Sequence, residues 1–150
     1  MEKPNDILLP EVRNFVSEGH TVTLRVRGWS MRPFLENLRD KVVLDACDRV
    51  RVNDVVLAEI APGHFVLHRV VGVDEQLGRL VLRGDGNYRG VERCRIEDVA
   101  AKAVGFYRGR TFYSVDGKTW RAYSCLWTRT RRLPRRYLLA IYRRLPFLHK

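Results

Sequence analysis

The order of hydrophobic and polar positions along the chain changes its period twice. Across residues 5–19 the apolar positions recur every three or four residues, which predicts a short helix. Asn5 or Asp6 can serve as its N-cap, and Gly19 can adopt the left-handed conformation beyond its end. From Thr21 to Arg27 apolar and polar residues alternate, which predicts a half-buried strand. The apolar positions of the helix are Leu8, Leu9, Val12, Phe15 and Val16.

Short candidate strands separated by turn residues occupy most of the chain between residues 41 and 115. Pairs such as Asn53-Asp54 and Asp116-Gly117 between them are suited to tight turns. Many short strands with almost no helix predict a mainly β body, of the sandwich or barrel type. The predicted strands are Lys41–Asp45, Arg49–Val52, Val55–Ile60, Phe65–Asp74, Arg79–Arg83, Ala101–Tyr107 and Arg110–Val115.

A helical pattern returns after Trp120, and it is rich in arginine. On a helical wheel the apolar residues fall within about a third of the circle and the arginines lie opposite them. Pro134 limits where this helix begins, and Pro146 limits where it ends. The pattern predicts a basic amphipathic helix. Its apolar residues are Tyr137, Leu138, Ile141, Leu145 and Leu148, and its arginines are Arg132, Arg135, Arg136 and Arg143.

The net charge of +11 is confined to the C-terminal third of the chain. Residues 1–106 carry 16 basic and 16 acidic side chains, whereas residues 107–150 carry 12 basic side chains and a single acid, Asp116. The sequence therefore predicts an electrically neutral body, with its core at about residues 20–115, within a domain of residues 1–118. Residues 119–150 form a separate cationic segment.

Composition excludes several classes of protein. The longest apolar run, Tyr137 to Tyr142, is six residues, and a membrane-spanning helix needs about twenty. We see no secretory signal at the N-terminus, so we expect a cytoplasmic protein, with a peripheral place on the inner membrane face as a further expectation. Three scattered cysteines predict reduced thiols, with neither a disulfide framework nor a CxxC metal site.

Three segments carry residues suited to chemistry. Ser30 follows a predicted strand between Gly28 and Pro33, where a side chain can be presented from a rigid turn. His68 shares one face of its predicted strand with Val66 and Val70, and Asp85 stands in a glycine-rich turn. Taken singly, each has an ordinary structural interpretation: a polar turn, a half-buried histidine and a hairpin.

Taken in order, four strings resemble boxes of the type I signal peptidases and their relatives, the self-cleaving repressors of the SOS type. Gly28-x-Ser30-Met31-x-Pro33 resembles the box of the nucleophile. His68-Arg69-Val70-Val71-Gly72-Val73 resembles the box of the general base, with histidine in place of the lysine of most bacterial members. The other two strings are Asn53-Asp54-Val55-Val56-Leu57 and Gly84-Asp85-Gly86-Asn87. The resemblance covers roughly residues 26–105, about half of the chain.

The resemblance implies a serine endopeptidase on a signal-peptidase-type β fold, which cleaves a peptide or protein precursor. Ser30 would be the nucleophile and His68 the general base that takes its proton, with no metal and no cofactor. The backbone N–H of Ser30 would bind the oxyanion, within a region formed by Gly28, Met31 and Pro33. The substrate would lie extended against an edge strand.

The chain departs from this family at the carboxylate that orients the histidine. The Ser–His branch has an Asp-Asp pair shortly after its Gly-Asp-Asn box, where this chain has residues 88–92 without an aspartate. We take Asp85 as the third catalytic residue. Glu92, or a dyad without a carboxylate, are the open alternatives. The alternative function is a non-catalytic module that binds a peptide or a membrane and keeps the peptidase fold.

The cationic segment predicts a partner of its own. Arginines interleaved with aromatic residues on an amphipathic helix are typical of adsorption to an anionic membrane surface, through Arg132, Arg135, Arg136 and Arg143. The structural alternative is a solvated, partly ordered segment, which includes docking of its apolar face onto the β body. An acidic peptide substrate is another partner that the cations could attract. Nucleic acid ranks below the membrane, because no nucleic-acid motif is present and DNA does not need an apolar face.

Overall fold

Residues 9–87, 89–129 and 132–145 are described by the computed structural model, without the side chains of residues 132–135. Eight strands and three short helices account for most of this part of the chain. The strands are β1 Val22–Arg25, β2 Lys41–Asp45, β3 Val55–Ala61, β4 His64–Asp74, β5 Arg79–Arg83, β6 Glu92–Arg95, β7 Val99–Arg108 and β8 Thr111–Ser114. The helices are α1 Val12–Ser17, α2 Lys118–Arg129 and α3 Arg132–Arg144, and 3-10 turns cover Leu9–Glu11 and Ile96–Asp98.

All eight strands belong to one antiparallel sheet. Their order is β1-β2-β7-β3-β4-β5-β6, and β8 pairs with the end of β7. The long strand β4 pairs with β3 and β5, and β7 pairs with β2, β3 and β8. The buried apolar side chains form two separate clusters. Within the described residues, β1 pairs only with β2, which leaves one edge of β1 open.

The two hydrophobic clusters lie on the two faces of β3. Leu57 belongs to the first cluster together with Leu24, Leu35 and Phe106, whereas its neighbour Val56 belongs to the second. This division follows from the alternation of side chains along a strand. The remaining buried members of the second cluster are Val50, Ala58, Val70, Leu80, Leu82, Cys94 and Val99.

The mainly β architecture is confirmed, and two of the predicted strands, Lys41–Asp45 and Arg79–Arg83, have the expected bounds. The predicted strand Arg49–Val52 is wrong. Its backbone bends into a turn, because the Arg51 N–H donates to the Asp54 carboxylate at 2.8 Å. Strand β6 was not predicted, since three of its four side chains are charged and one alone, Cys94, is buried.

The predicted N-terminal helix corresponds to a 3-10 turn followed by α1, with Val12 and Val16 buried. Gly19 has φ +88°, the left-handed conformation expected of it. The proposed caps Asn5 and Asp6 lie outside the described residues.

Among the residues that the structure describes, two helices follow residue 117, where the sequence pattern predicted one. Helix α2 packs into the body through Trp120, which is a member of the first cluster, and through the buried Trp127. The predicted cationic segment, which starts at residue 119, thus begins inside α2, and this helix is part of the core. Leu148 of the predicted amphipathic helix lies outside the described residues.

Helix α3 is held against the Ser30 loop by a buried carboxylate. Glu36 accepts two hydrogen bonds from Arg32 Nε and Nη2, the shorter at 2.6 Å, and one from the Tyr142 hydroxyl at 3.1 Å. Burial by itself raises the pKa of Glu36, but the hydrogen bonds and charge of Arg32 and the bond from Tyr142 outweigh it. The pKa of Glu36 is therefore held below its ordinary value of 4.5.

We expect Glu36→Gln to destabilise the protein by about 2 kcal/mol at neutral pH, because it removes a charged acceptor from Arg32. A carboxyl whose pKa is lowered by folding stabilises the protein above its ordinary pKa, and this stabilisation is lost as the pH falls through the folded value. The difference between parent and variant should therefore shrink below pH 4.5. Urea denaturation at neutral and acidic pH measures it. Glu75→Gln, at an exposed site, is the control, and a pH-independent difference would contradict the assignment.

Candidate active site

Ser30 lies in a loop between β1 and β2 that is anchored on both sides. Gly28 adopts φ +83°, which a residue with a side chain rarely does, and its N–H donates to Asn37 Oδ1 at 2.8 Å. Met31 and Leu35 are buried in the first cluster. With the following side chains fixed in the core, Ser30 itself stays half-buried at the surface of the loop.

The glycine-rich turn between β5 and β6 holds the Ser30 peptide from the other side. The Gly86 N–H donates to the Ser30 carbonyl oxygen at 2.7 Å. A Cβ atom on Gly84 would lie 2.4 Å from the same oxygen, and one on Gly86 would lie 2.4 Å from the Trp29 oxygen. Backbone therefore approaches backbone too closely for any side chain, which explains both glycines.

The carboxylate of this turn, Asp85, faces Arg69. Its two oxygens accept from Arg69 Nε at 2.8 Å and Nη2 at 2.7 Å, and both residues are almost wholly buried. Burial by itself lowers the pKa of Arg69, but hydrogen bonds and charge from Asp85 outweigh it and raise the pKa. The expectation that Asp85 orients His68 is thus corrected. Adjacent residues of β4 point to opposite faces, and Asp85 lies on the face of Arg69.

Helix α2 closes over this ion pair. The Tyr123 hydroxyl donates to Asp85 Oδ2 at 2.7 Å, and Trp127 Nε1 donates to the Asp85 carbonyl oxygen at 3.0 Å. Arg69 in turn donates to Ser124 Oγ at 2.9 Å, and its guanidinium carbon lies 4.9 Å from the ring centre of Trp120. Each charge is therefore surrounded by partners, which is the condition for burying an ion pair.

His68 has a different carboxylate partner, Glu92 of β6. His68 Nδ1 lies 2.9 Å from Glu92 Oε2, and the imidazole is almost wholly buried. The sheet register explains this contact, because Val70 pairs with Leu82 and Leu82 pairs with Glu92. Glu92 therefore lies on the same face as Val70 and His68. A carboxylate oxygen accepts but does not donate, so Nδ1 carries a proton and Nε2 is left as the basic nitrogen.

Ser30 and His68 line the same surface groove. Its volume is about 390 Å³, and its walls are residues 24–27, at the end of β1, and residues 63–68, at the start of β4. Within the described residues the Ser30 hydroxyl makes no hydrogen bond, to His68 or to any other group. The serine hydroxyl and the imidazole thus share one solvent-accessible space without direct contact in the resting chain.

The remaining predicted site residues divide into two groups. Met31 lines the groove, whereas Gly28 and Pro33 shape the loop without lining it. Arg136 and Arg143 are exposed on α3 and do not line the groove, and Arg132 and Arg135 belong to the same helix with side chains outside the described part of the chain. Phe34, which follows Pro33 in the same loop, packs among aromatic rings of the core.

Among the described residues no cluster of three histidine, cysteine, aspartate or glutamate side chains is placed to bind a metal ion. None of the helices there is long and apolar enough to cross a membrane. No protein-family model matches the chain, and no curated protein matches it significantly.

We expect Asp85→Asn to destabilise the protein by about 3–5 kcal/mol, because it leaves the buried guanidinium of Arg69 without its counter-charge. The free energy of unfolding from urea denaturation measures this loss. Asp116→Asn, at an exposed position outside the sheet, is the matched control and should stay within about 0.5 kcal/mol of the parent. Equal destabilisation by both variants would show that the ion pair does not have this role.

Proposed function

We propose that the protein is a serine endopeptidase with a signal-peptidase-type fold, in which Ser30 is the nucleophile and His68 the general base. One observation carries the proposal: a histidine held at Nδ1 by a carboxylate shares a substrate-sized groove with an accessible serine hydroxyl. Glu92 takes the place of the orienting aspartate. The order of roles along the chain, serine before histidine before carboxylate, agrees with the boxes in the sequence.

In this mechanism the Ser30 hydroxyl closes on His68 once a peptide enters the groove. Ser30 Oγ attacks the scissile carbonyl carbon, and His68 Nε2 takes the hydroxyl proton. The C–N bond then breaks, and the leaving amine receives that proton from Nε2. Water next gives a proton to Nε2 and attacks the acyl carbon, and Ser30 Oγ recovers the proton as the carboxylic product leaves. Glu92 stabilises the imidazolium present between the two transfers.

Two backbone features support binding of the substrate and its oxyanion. Within the described residues, the Ser30 N–H has no acceptor, so it remains available as a donor to an oxyanion. In the described part of the chain, the edge of β1 is open and residues 64–68 of β4 pair only with β3. These two edges border the same groove. An extended peptide between them can therefore gain backbone hydrogen bonds from β strands on both sides.

A second candidate function is a non-catalytic module that binds a peptide in the same groove. The observation that favours it is the absence of a hydrogen bond between the Ser30 hydroxyl and His68 in the described part of the chain. Resting proteases often have loose contacts at this point, and measured cleavage distinguishes the two functions.

We expect Ser30→Ala and His68→Ala each to abolish cleavage of a mixture of synthetic peptides, detected by mass spectrometry. Each substitution removes a side chain that takes part directly in bond formation or proton transfer. Losses of activity on the order of 10⁶-fold are known for such residues in other serine proteases. Ser17→Ala, at an exposed serine of α1 outside the groove, should cleave like the parent. Thermal denaturation checks that all variants fold. Cleavage that survives both substitutions eliminates this mechanism, and binding without any cleavage by the parent favours the second candidate.

We expect Glu92→Gln to reduce kcat/KM by about 10²- to 10⁴-fold, because the imidazolium loses its partner carboxylate. Removing a negative charge beside an imidazole also disfavours its charged form, so the acid limb of the pH–rate profile should move to lower pH. A residue that only stabilises the fold would not move this profile. The control is Glu97→Gln, an exposed glutamate just beyond β6. An unchanged profile for Glu92→Gln would assign Glu92 a structural role.

A further inference from the structure

Helix α3 contacts the body along one narrow side. Leu139 is 2% exposed, and the half-buried Tyr142 donates its hydroxyl hydrogen bond to Glu36. The guanidinium carbon of Arg32 lies 5.8 Å from the ring centre of Tyr142. These contacts fix the rotation of the helix about its own axis, so its opposite side faces solvent.

The solvent-facing side of α3 is apolar at its centre. Tyr137 and Ile141 stand two residues before and two residues after Leu139, which places both on the far side of a helix with 3.6 residues per turn. Their exposures are 67% and 57%. The predicted apolar stripe is thus turned outward, and the docking of that stripe onto the β body, considered from the sequence, does not occur in the described helix.

Arginines border this apolar centre along one flank, where Arg136 and Arg144 lie in the row next to Tyr137 and Ile141. Both arginines are exposed, and the sequence has no acidic residue after Asp116. A surface with large apolar side chains beside a row of cations favours a partner that buries the apolar side chains and supplies negative charge. We define the outward face of α3 as Arg136, Tyr137, Ala140, Ile141 and Arg144, which also border a shallow recess.

We propose that the outward face of α3 binds an anionic lipid surface. The arginines would contact lipid phosphates, and the Tyr137 and Ile141 side chains would enter the boundary between headgroups and acyl chains. Nucleic acid fits less well, because it would neutralise the arginines but leave both apolar side chains in water. A second copy of the chain would place arginine against arginine. The inference is independent of the proposed peptidase activity.

The experiment is co-sedimentation of the full chain with phosphatidylcholine vesicles that contain about one quarter phosphatidylglycerol. Arg136→Gln/Arg144→Gln should lower the partition coefficient about tenfold, and Ile141→Ser at least fivefold. Raising NaCl from about 0.1 M to about 1 M shortens the Debye length to about 3 Å and should release the protein. Ser30→Ala should bind like the parent, which separates this result from the fate of the peptidase proposal.

The matched controls remove the same number of charges and one large apolar side chain at positions outside α3. Arg79→Gln/Arg93→Gln removes two exposed arginines from β5 and β6, and Leu77→Ser removes an exposed leucine from the turn after β4. Both should bind like the parent. Equal binding to pure phosphatidylcholine vesicles, or equal loss in variants and controls, would overturn the proposal. So would binding to a short DNA duplex, or dimers in ultracentrifugation, without vesicle binding.

Discussion

The buried ion pair between Arg69 and Asp85 is the interaction on which the rest of the arrangement depends. It joins β4, the strand that carries His68, to the turn whose Gly86 N–H holds the Ser30 carbonyl. Two charges taken out of water stabilise a fold only when every polar atom finds a partner. Here helix α2 supplies those partners through Tyr123 and Ser124, so the helix, the strand and the turn are fixed together.

Neighbouring residues of β4 have different roles, because a strand presents alternate side chains to opposite faces. Arg69 points toward α2 and serves the framework, whereas His68 points toward the second core and meets Glu92. The two groups of the candidate site are therefore held by different elements. Glu92 of β6 contacts the His68 imidazole, and the turn that carries Asp85 holds the Ser30 loop. A change at Asp85 acts on the position of the Ser30 loop, and a change at Glu92 acts on the orientation of the His68 imidazole.

Much of this could be predicted from the sequence, and the exceptions have physical causes. Three apolar residues between two charged residues predicted the bounds of β2 and β5, and the Gly84–Asn87 string was recognised without its contacts. The partner of His68 could not be assigned, because it depends on the register of β6, a strand with no apolar alternation. The need for glycine at positions 84 and 86 likewise arises from a contact with Ser30 more than fifty residues away.

Helices α2 and α3 both carry arginines, but α2 buries its two tryptophans whereas α3 exposes most of its apolar side chains. In α2 the aromatic side chains of Trp120 and Trp127 face inward and its arginines remain at the surface, so the helix is core material despite its charge. In α3 a single leucine, Leu139, and a carboxylate on the body decide which side is buried. Because Glu36 is the acceptor for both Arg32 and Tyr142, the same group that shapes the serine loop also sets the direction in which Tyr137 and Ile141 face. The orientation of the outward face of α3 is therefore linked to the candidate site through the buried carboxylate of Glu36.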